Sequence, residues 1–350
     1  MSKFCTKPFD HFEIDTNGNA WMCCMRWLPL SIGNVNTESI EEITRSVSAT
    51  EIRKSILDGS FRYCDHDICP ELVEGTLPDT DDHAYLRTDR YQKADSHDPK
   101  FFALCNDESC NLSCPSCRIN MVNRKEGEIF DRVKRQNEKI FEYVKDQAKK
   151  NRDGKYWIHI TGSGDPFAAK SYRDVLFNFD GREYPNIKIN LQTNGVMLTE
   201  KYWGMMEKIH NNLHAILISF DAATEETYNI VRRGGDWKLL NENTRMVAEK
   251  RSEGIFQELR IDYVVQDHNY KEMPLFVELM DKINGIDEYH FQKIIDWGTY
   301  QPNVFEQRAI WQESHPEHEE FLKVLHDRRL RSDKIKWGNV AQYFNKAHTV

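Results

Sequence analysis

Three cysteines fall within eight residues in the run Cys110-Asn111-Leu112-Ser113-Cys114-Pro115-Ser116-Cys117, and this C-x3-C-x2-C spacing constrains the chain more than any other feature. Three thiolates in such a loop hold a cube of iron and sulfide while leaving one iron without a protein ligand. Zinc sites instead show two close pairs of ligands, and ferredoxin clusters take a fourth cysteine in a different repeat. The spacing predicts a three-cysteine iron–sulfur site whose open corner is available for chemistry.

Composition narrows the setting. The chain has 350 residues, 39% of them hydrophobic, which is room for about two domains at ~150 residues each and for a sizeable core. It has nine cysteines and opens Met1-Ser2-Lys3-Phe4-Cys5-Thr6-Lys7, with no charged-then-apolar leader. That combination argues for metal binding in a reducing, cytoplasmic compartment rather than for disulfides. A net charge of -9 disfavours a nucleic-acid partner, which calls for a basic face. The richest basic stretch, Arg132 to Lys150, is interleaved with Glu138, Glu142 and Asp146 and reads as a solvated helix face. No apolar run approaches the ~18–20 residues of a membrane span, so a soluble protein without a membrane partner is expected.

From residue 100 onward, apolar runs of strand length alternate with helical patterns, the signature of βα units around a parallel sheet. Strands are expected at Phe101–Leu104, Tyr156–Ile160, Ile187–Leu191, Ala215–Phe220, Leu259–Val265 and Tyr289–Gln292. A long helix follows the first, with Ile129, Phe130, Val133, Ile140, Phe141 and Val144 on one face. Further helices are expected near 169–178, 198–210, 224–251, 270–284 and 315–330. The last is predicted to open with a capping box on Ser314, Pro316 and Glu317, which takes His315 and His318 out of contention as metal ligands. Tyr270, Trp297 and Tyr300 follow the fifth and sixth strands, either to meet a substrate or to pack.

The remaining motifs sit at strand ends. Thr161-Gly162-Ser163-Gly164-Asp165-Pro166-Phe167 follows the second strand; its glycines let backbone approach a ligand, though it lacks a dinucleotide fingerprint. Gln192-Thr193-Asn194-Gly195 follows the third strand, and Asn-Gly is a common turn pair. The fourth ends in Ser219-Phe220-Asp221-Ala222-Ala223-Thr224, with Val231-Arg232-Arg233-Gly234-Gly235 one helix later. Taken singly, these are turns, a Thr224 N-cap and surface charges.

With the cysteine loop they resemble the radical S-adenosylmethionine (radical SAM) superfamily, and Cys-Asn-Leu-Ser-Cys-Pro-Ser-Cys looks like its SPASM-containing branch. The resemblance implies a partial (β/α)6 barrel, an α/β fold with active residues at the carboxyl ends of its strands. It also implies that the cluster on Cys110, Cys114 and Cys117 binds S-adenosylmethionine (AdoMet). Ser163, Gly164 and Asp165 match the family's Gly-Gly-Glu-Pro motif at the AdoMet amino group, with Asp165 in place of the usual Glu. Asn194 matches its Thr-Asn-Gly turn. Ser219 matches a serine that bonds the ribose, and Arg232 an arginine that pairs with the carboxylate through its planar fork; Arg233 competes for that part. Ser116 stands where the superfamily often has an aromatic residue near the adenine.

The first ninety-five residues resemble the SPASM and Twitch domains that carry auxiliary 4Fe-4S clusters. Cys5 is followed after twelve residues by Gly18 and after four more by Cys23, and Cys64 and Cys69 complete a set of four. Asp15-Thr16-Asn17-Gly18-Asn19 is a strong hairpin turn, Ser31-Ile32-Gly33-Asn34-Val35 matches the domain's Ile-Gly-Asn element, and Ile40–Leu57 supplies a helix. Four ligands suit one cluster, hence the shorter Twitch version, while a mononuclear zinc site is the competing use of four cysteines. Cys24 competes with Cys23, and Cys105 is expected to pack as a buried thiol. In relatives this domain follows the barrel; here it precedes it. The expected organisation is 1–95 auxiliary-cluster domain, 96–300 barrel and 301–350 helical extension.

The implied activity is reductive cleavage of AdoMet to a 5'-deoxyadenosyl radical that oxidises an unreactive C–H bond. The auxiliary cluster would serve as electron acceptor and an external one-electron reductant such as flavodoxin or ferredoxin as donor. A small polar substrate and a peptide substrate both fit. The lack of an ~80-residue module ahead of the auxiliary segment, on domain-size grounds, leans toward the small molecule. A non-catalytic iron–sulfur electron carrier is the rival from another class.

Overall fold

The computed structural model of the protein describes residues 3–95 and 98–348. Its strands are β1 (His11–Asp15), β2 (Asn19–Trp21), β3 (Gly33–Asn34), β4 (Phe101–Cys105), β5 (Tyr156–Ile160), β6 (Ile187–Thr193), β7 (Leu213–Ser219), β8 (Glu258–Val265), β9 (Glu288–Lys293) and β10 (Ile335–Lys336). All six strands expected after residue 100 are among them. The chain packs as two compact units, Met1–Glu108 with Arg124–Gly164 and Glu183–Ile189, and Ser109–Asn123 with Asp165–Arg182 and Asn190–Val350. They interleave along the chain and so divide it differently from the motif-based segments 1–95, 96–300 and 301–350.

In the first unit the strand order is β5-β4-β1-β2-β3. β1 runs parallel to β4, with His11 opposite Phe101 and Asp15 opposite Cys105, and antiparallel to β2. The Asp15–Asn19 turn forms as expected: Asp15 Oδ1 accepts the N–H groups of Asn17 and Asn19, each at 2.9 Å. Gly18 adopts φ 82° there, and a Cβ at this position would come within 2.3 Å of Asn36 Nδ2, so only glycine fits. The helix expected over Ile40–Leu57 is two helices, Ile40–Thr44 and Val47–Leu57. Ser39 and Glu42 form a full capping box for the first, and Ser46 caps the second by accepting from Ala49 N–H, which restarts the helix.

The long helix Glu128–Lys150 buries Phe130, Val133, Ile140, Phe141 and Val144 as predicted, but Ile129 is exposed. One residue off the stripe is about 100° around a helix, and the polar Gln136 and Asn137 complete the inward face instead. Both accept hydrogen bonds from Asn106 Nδ2, at 3.0 and 2.9 Å.

In the second unit β7, β8, β9 and β10 lie side by side, with β7, β8 and β9 parallel and β10 parallel to β9. The helix Met273–Met280 sets Phe276 against Tyr263 at 4.7 Å, Phe291 at 5.9 Å and both Phe220 and Tyr289 at 6.0 Å between ring centroids. Successive strand residues face opposite ways, so Ser219, Asp262 and His290 lie on the other face. They form a continuous row, Ser219 opposite Asp262 and Asp262 opposite His290.

Three helix expectations need correction in this unit. The stretch 224–251 breaks into Glu225–Val231 and Trp237–Ser252, because Gly234 takes φ 87° and a Cβ on Gly235 would lie 2.2 Å from the Tyr228 hydroxyl. The stretch 198–210 is α-helical only over Glu200–Met205 and continues as 3-10 helix. The last helix starts at His318, and Ser314 makes no capping box. Glu317 accepts instead from Lys271 Nζ at 3.0 Å and the Tyr270 hydroxyl at 3.2 Å, while its own N–H donates to His315 Nδ1 at 3.1 Å. His318 is buried with its ring bonded to the Ile310 carbonyl. Among the described residues no helix is long and apolar enough to cross a membrane.

Arg53 is the polar keystone of the first unit. It is 2% exposed, and its guanidinium donates to the carbonyls of Pro8 at 3.0 Å, Thr44 at 2.9 Å and Ala94 at 3.3 Å. Replacing Arg53 with Met would leave those buried acceptors unpaired at a cost of roughly 2–4 kcal/mol. Chemical denaturation of the two proteins is expected to show a lower midpoint for R53M at an unchanged slope.

Candidate active site

The cysteine loop is pinned from three directions within the second unit. Cys110 N–H donates to the Val122 carbonyl at 2.7 Å, Ser113 N–H to the Arg233 carbonyl at 3.0 Å, and the N–H groups of Cys117 and Arg118 to the Cys114 carbonyl at 2.9 and 3.0 Å. Cys110 and Cys114 are buried and Cys117 is exposed. Burial pushes the Cys110 thiol up to about 12, with the Asp165 charge adding to the effect. Burial also raises Cys114, against the pull of Arg232. Thiols in such surroundings are poor acids on their own and become thiolates when a metal replaces the proton.

Every one of the three sulfurs has an N–H donor. Cys110 receives Leu112 N–H at 3.4 Å and Asn194 Nδ2 at 3.6 Å, Cys114 receives Arg232 Nη1 at 3.8 Å, and Cys117 receives Arg118 Nη2 at 3.3 Å. Donors of this kind accompany thiolate-ligated iron–sulfur clusters and tune them, so the donor set fits such a group. Among the described residues no three His, Cys, Asp or Glu side chains converge so as to hold a metal ion; ligands to a cube attach at separate corners.

Asp165 is fully buried and its carboxylate is wholly engaged. Oδ1 accepts the N–H groups of Phe167 at 2.9 Å and Ala168 at 3.0 Å, while Oδ2 accepts the Thr193 hydroxyl at 2.7 Å and Asn194 N–H at 2.9 Å. Burial raises this carboxyl despite those four donors. Asn194, held at the end of β6, passes its amide on to Asn111 Oδ1 at 2.9 Å and to the Cys110 sulfur. Asp165 is thus a brace that orients Asn194. Its main chain is committed as well, the N–H donating to the Ser109 carbonyl and the carbonyl accepting Ala169 N–H, each at 2.9 Å.

Arg232 and Asp221 form the second brace. Asp221 follows β7 with φ 62°, a conformation non-glycine residues rarely adopt. It is held there by Val264 N–H on its Oδ1 at 2.7 Å and by Asn269 Nδ2 on its carbonyl at 2.9 Å. Its other carboxylate oxygen pairs with Arg232 Nη2 at 2.8 Å. Arg232 Nε is buried without a hydrogen-bond partner, an unmet donor of the kind a ligand carboxylate satisfies. Arg233 is exposed and occupied by Ser113 Oγ at 3.2 Å and the Ile119 carbonyl at 2.9 Å. Glu272 caps the helix leading to Arg232, accepting Ala223 N–H at 2.7 Å and the hydroxyls of Thr224 and Thr227 at 2.6 and 2.7 Å.

The row Ser219, Asp262 and His290 runs outward from this brace, since Asp262 lies near enough to Asp221 for their charges to oppose each other. Asp262 is buried, yet His290 and Arg260 outweigh the burial and hold its carboxyl below the usual range. Arg260 grips it through Nε at 2.7 Å and Nη2 at 3.2 Å, and His290 Nδ1 stands 3.5 Å away. Tyr300 is close enough to Cys114 and Arg233 to feel both. Tyr270 is buried and packs, whereas Trp297 is exposed.

The first unit contains the other cysteines. Burial pushes Cys5 up to about 12 and Cys64 to about 11, and raises Cys23. The thiols influence one another in sequence: Cys23 feels Cys5, Cys5 feels Cys64, and Cys64 feels Cys69. Cys24 lies beside Glu13 and acts on both Cys23 and Cys105. Ser163 Oγ donates to the carbonyls of Cys105 at 2.8 Å and Asp107 at 3.3 Å, and Gly164 N–H donates to Thr161 Oγ1 at 3.1 Å. Thr161 takes φ 105°, so strained non-glycine backbone marks this turn too.

The sequence profile of the Radical SAM superfamily matches residues 108–277, and that of the SPASM iron-sulfur cluster-binding domain matches residues 5–71. Residues 108–277 therefore form a radical SAM domain. In the chain the SPASM domain precedes the radical SAM domain. Solved structures similar to it include Streptococcus suis SuiB bound to S-adenosylmethionine, at 15% identity and a TM-score of 0.41 over 85% of this chain and 65% of that one. Native anSMEcpe with bound AdoMet and Cp18Cys peptide has 16% identity and a TM-score of 0.38 over 56% of this chain and 51% of that one. The radical SAM methyltransferase TsrM from Kitasatospora setae, with cobalamin and a [4Fe-4S] cluster, has 11% identity and a TM-score of 0.39 over 53% of this chain and 32% of that one. The chain thus spans at most about two thirds of the length of these structures. No curated protein matches the sequence.

The cofactors that go with these two domains are a 4Fe-4S cluster with AdoMet and an auxiliary iron–sulfur cluster. Among the residues around the radical SAM loop, Asp221, Glu272, Asp262 and His290 escaped the sequence reading. Only Asp221 sits in a motif, directly after Ser219-Phe220; Asp262 and His290 lie one and two strands away and become neighbours through register, and Glu272 arrives by capping the helix that follows Ala223. In this radical SAM domain Asp165→Asn would set an amide donor against four existing donors, and is expected to lower stability by roughly 2–4 kcal/mol. Thr193→Val, which removes one of the four, is expected to cost about 1 kcal/mol. Urea unfolding of both variants checks the ranking.

Proposed function

We propose that this radical SAM chain oxidises an unreactive C–H bond of a small polar substrate, with Cys110, Cys114 and Cys117 holding the cluster that binds AdoMet and Cys5, Cys23, Cys64 and Cys69 holding the auxiliary cluster. When bound, the cluster and AdoMet supply reductive cleavage to methionine and a 5'-deoxyadenosyl radical, and the auxiliary cluster supplies an electron acceptor. A flavodoxin or ferredoxin serves as the external reductant.

The observation that carries the reading is the unmet, fully buried Nε of Arg232 beside the Cys114 sulfur. Asp221 keeps the guanidinium oriented and charged, so a donor faces the space beside the loop and is ready for a carboxylate. A planar fork suits that anion better than an ammonium does. Ser219 contributes a hydroxyl for the ribose, and the fixed Asp165 holds the turn whose main chain at Ser163 and Gly164 meets the amino group. The low-water surroundings of Cys110 and Cys114 protect a reactive species from solvent. Asp262 and His290, one and two strands beyond Ser219, are acceptors and donors for substrate hydroxyl groups, which favours an alcohol-bearing small molecule over an apolar one.

Anaerobic incubation of the reduced protein with AdoMet is expected to release 5'-deoxyadenosine. Cys114→Ala is expected to abolish that release and to lower iron from about eight to about four atoms per chain. Arg232→Lys is expected to weaken AdoMet binding by roughly tenfold, the loss of one charge-assisted bond at about 1.4 kcal/mol, without changing iron content. An intact Cys114→Ala signal would overturn the assignment of the loop. Modification of a supplied peptide, with no turnover of polyols, would move the substrate to the peptide class.

A further inference from the structure

Lys7 lies in the Cys5 segment and touches the segments that carry Cys24 and Cys69. It stands two residues after Cys5, and its backbone N–H is hydrogen-bonded to the Cys5 sulfur. Its ammonium donates to Glu71 Oε1 at 2.6 Å, two residues after Cys69, and lies 4.6 Å from the centre of the Trp27 ring. Trp27 in turn ties two further cysteine segments together, its N–H donating to the Cys24 carbonyl at 2.9 Å and its carbonyl accepting Asp65 N–H, beside Cys64, at 2.7 Å. The side chains of Lys7 and Glu71 are only about one-third exposed, at 34% and 33%, so solvent screens them incompletely.

We propose that Lys7 sets the reduction potential of the auxiliary cluster, raising it so that the cluster accepts an electron, with Glu71 as the opposing charge. This rests on the reading that Cys5, Cys23, Cys64 and Cys69 hold that cluster. A fixed positive charge beside a thiolate-ligated cluster stabilises its more negative, reduced form, and hydrogen bonds to its sulfurs act in the same direction. Among the charges around Cys23 that of Lys7 acts most strongly, whereas Cys5 feels Glu71 and, less strongly, Lys7. The ion pair therefore does not cancel uniformly: Cys23 sees chiefly the cation, and Cys5 sees both charges. Trp27 fixes the ammonium by a cation–π contact, which keeps it from swinging out to solvent. The same arrangement favours an acceptor of substrate electrons over a low-potential donor.

The test is an EPR-monitored redox titration of the full-length protein carrying both clusters, with AdoMet added to mark the signal of the cluster on the Cys110–Cys117 loop. Lys7→Met is expected to shift the auxiliary midpoint to lower potential by a three- to tenfold change in the one-electron equilibrium, the upper end being about 59 mV. Lys7→Arg is expected to stay near wild type, Glu71→Gln to shift upward, and the double variant K7M/E71Q to return toward wild type. An unmoved midpoint in a Lys7→Met protein that keeps its auxiliary signal overturns the proposal. Should Lys7→Met fail to load the cluster, Glu71→Gln decides alone: an upward shift supports the proposal and no shift overturns it. The reading beneath it fails separately, by a Cys64→Ser protein that retains the auxiliary signal.

Discussion

The burial of sulfur is the constraint on which both sites depend. Cys110 and Cys114 sit where an isolated thiolate is strongly disfavoured, so the loop is useful only if neighbouring groups make the charged form acceptable. Two braces provide this. One ends in an amide, running from Asp165 through Asn194 to Cys110; the other is an ion pair, running from Asp221 through Arg232 to Cys114. Each brace ends in an N–H directed at a sulfur, and each begins in a buried carboxylate whose own lone pairs are taken up by backbone or side-chain donors. The ordering of the loop is therefore inseparable from the ordering of the strand ends at Thr193–Asn194 and Phe220–Asp221.

That dependence explains where strain is tolerated. Asp221 at φ 62° and Thr161 at φ 105° are two of three non-glycine residues with positive φ among the described residues, and they lie two residues and one residue past the end of a strand. Backbone in such regions costs of order 1–3 kcal/mol per residue and persists only when its surroundings fix it. At Asp221 the fixing groups are Val264 N–H, Asn269 Nδ2 and Arg232. The bend aims the carboxylate back at the arginine rather than onward along the helix. A relaxed backbone there would release the guanidinium.

The strands were legible because each is a short run of β-branched and aromatic residues bounded by turn signals, and packing did not contest those runs. Boundaries of helices were less so. Gly234 and Gly235 were visible, but that they break a helix depends on the Tyr228 hydroxyl occupying the space beside Gly235, a contact no periodicity shows. The capping box at Ser314 failed for a similar reason, since Glu317 is claimed by Lys271 and Tyr270 from another helix. At the site, motif residues such as Asp165, Asn194 and Arg232 were found by spacing. Their roles were not: Asp165 is spent on four donors, and Arg232 already has Asp221. The Asp262–His290 pair depended on two strands aligning in register, which sequence alone did not fix.

The two sulfur sites share one electrostatic design in spite of unrelated local structure. Each sets a cation against thiols, Arg232 by Cys114 and Lys7 by Cys23, and each backs that cation with a carboxylate, Asp221 and Glu71. A lone buried cation would be as costly as a lone thiolate, so the carboxylate makes the cation's burial tolerable while leaving its field uneven at short range. The difference between the sites lies in rigidity and solvent. Arg232 is held by Asp221 in a largely buried site with one donor still unmet, which suits recognition of an incoming anion. Lys7 is a point charge resting on an indole at a partly exposed edge, which suits adjustment of a potential. Guanidinium and ammonium are used here according to their geometry, and exchanging them would be expected to impair the first site far more than the second.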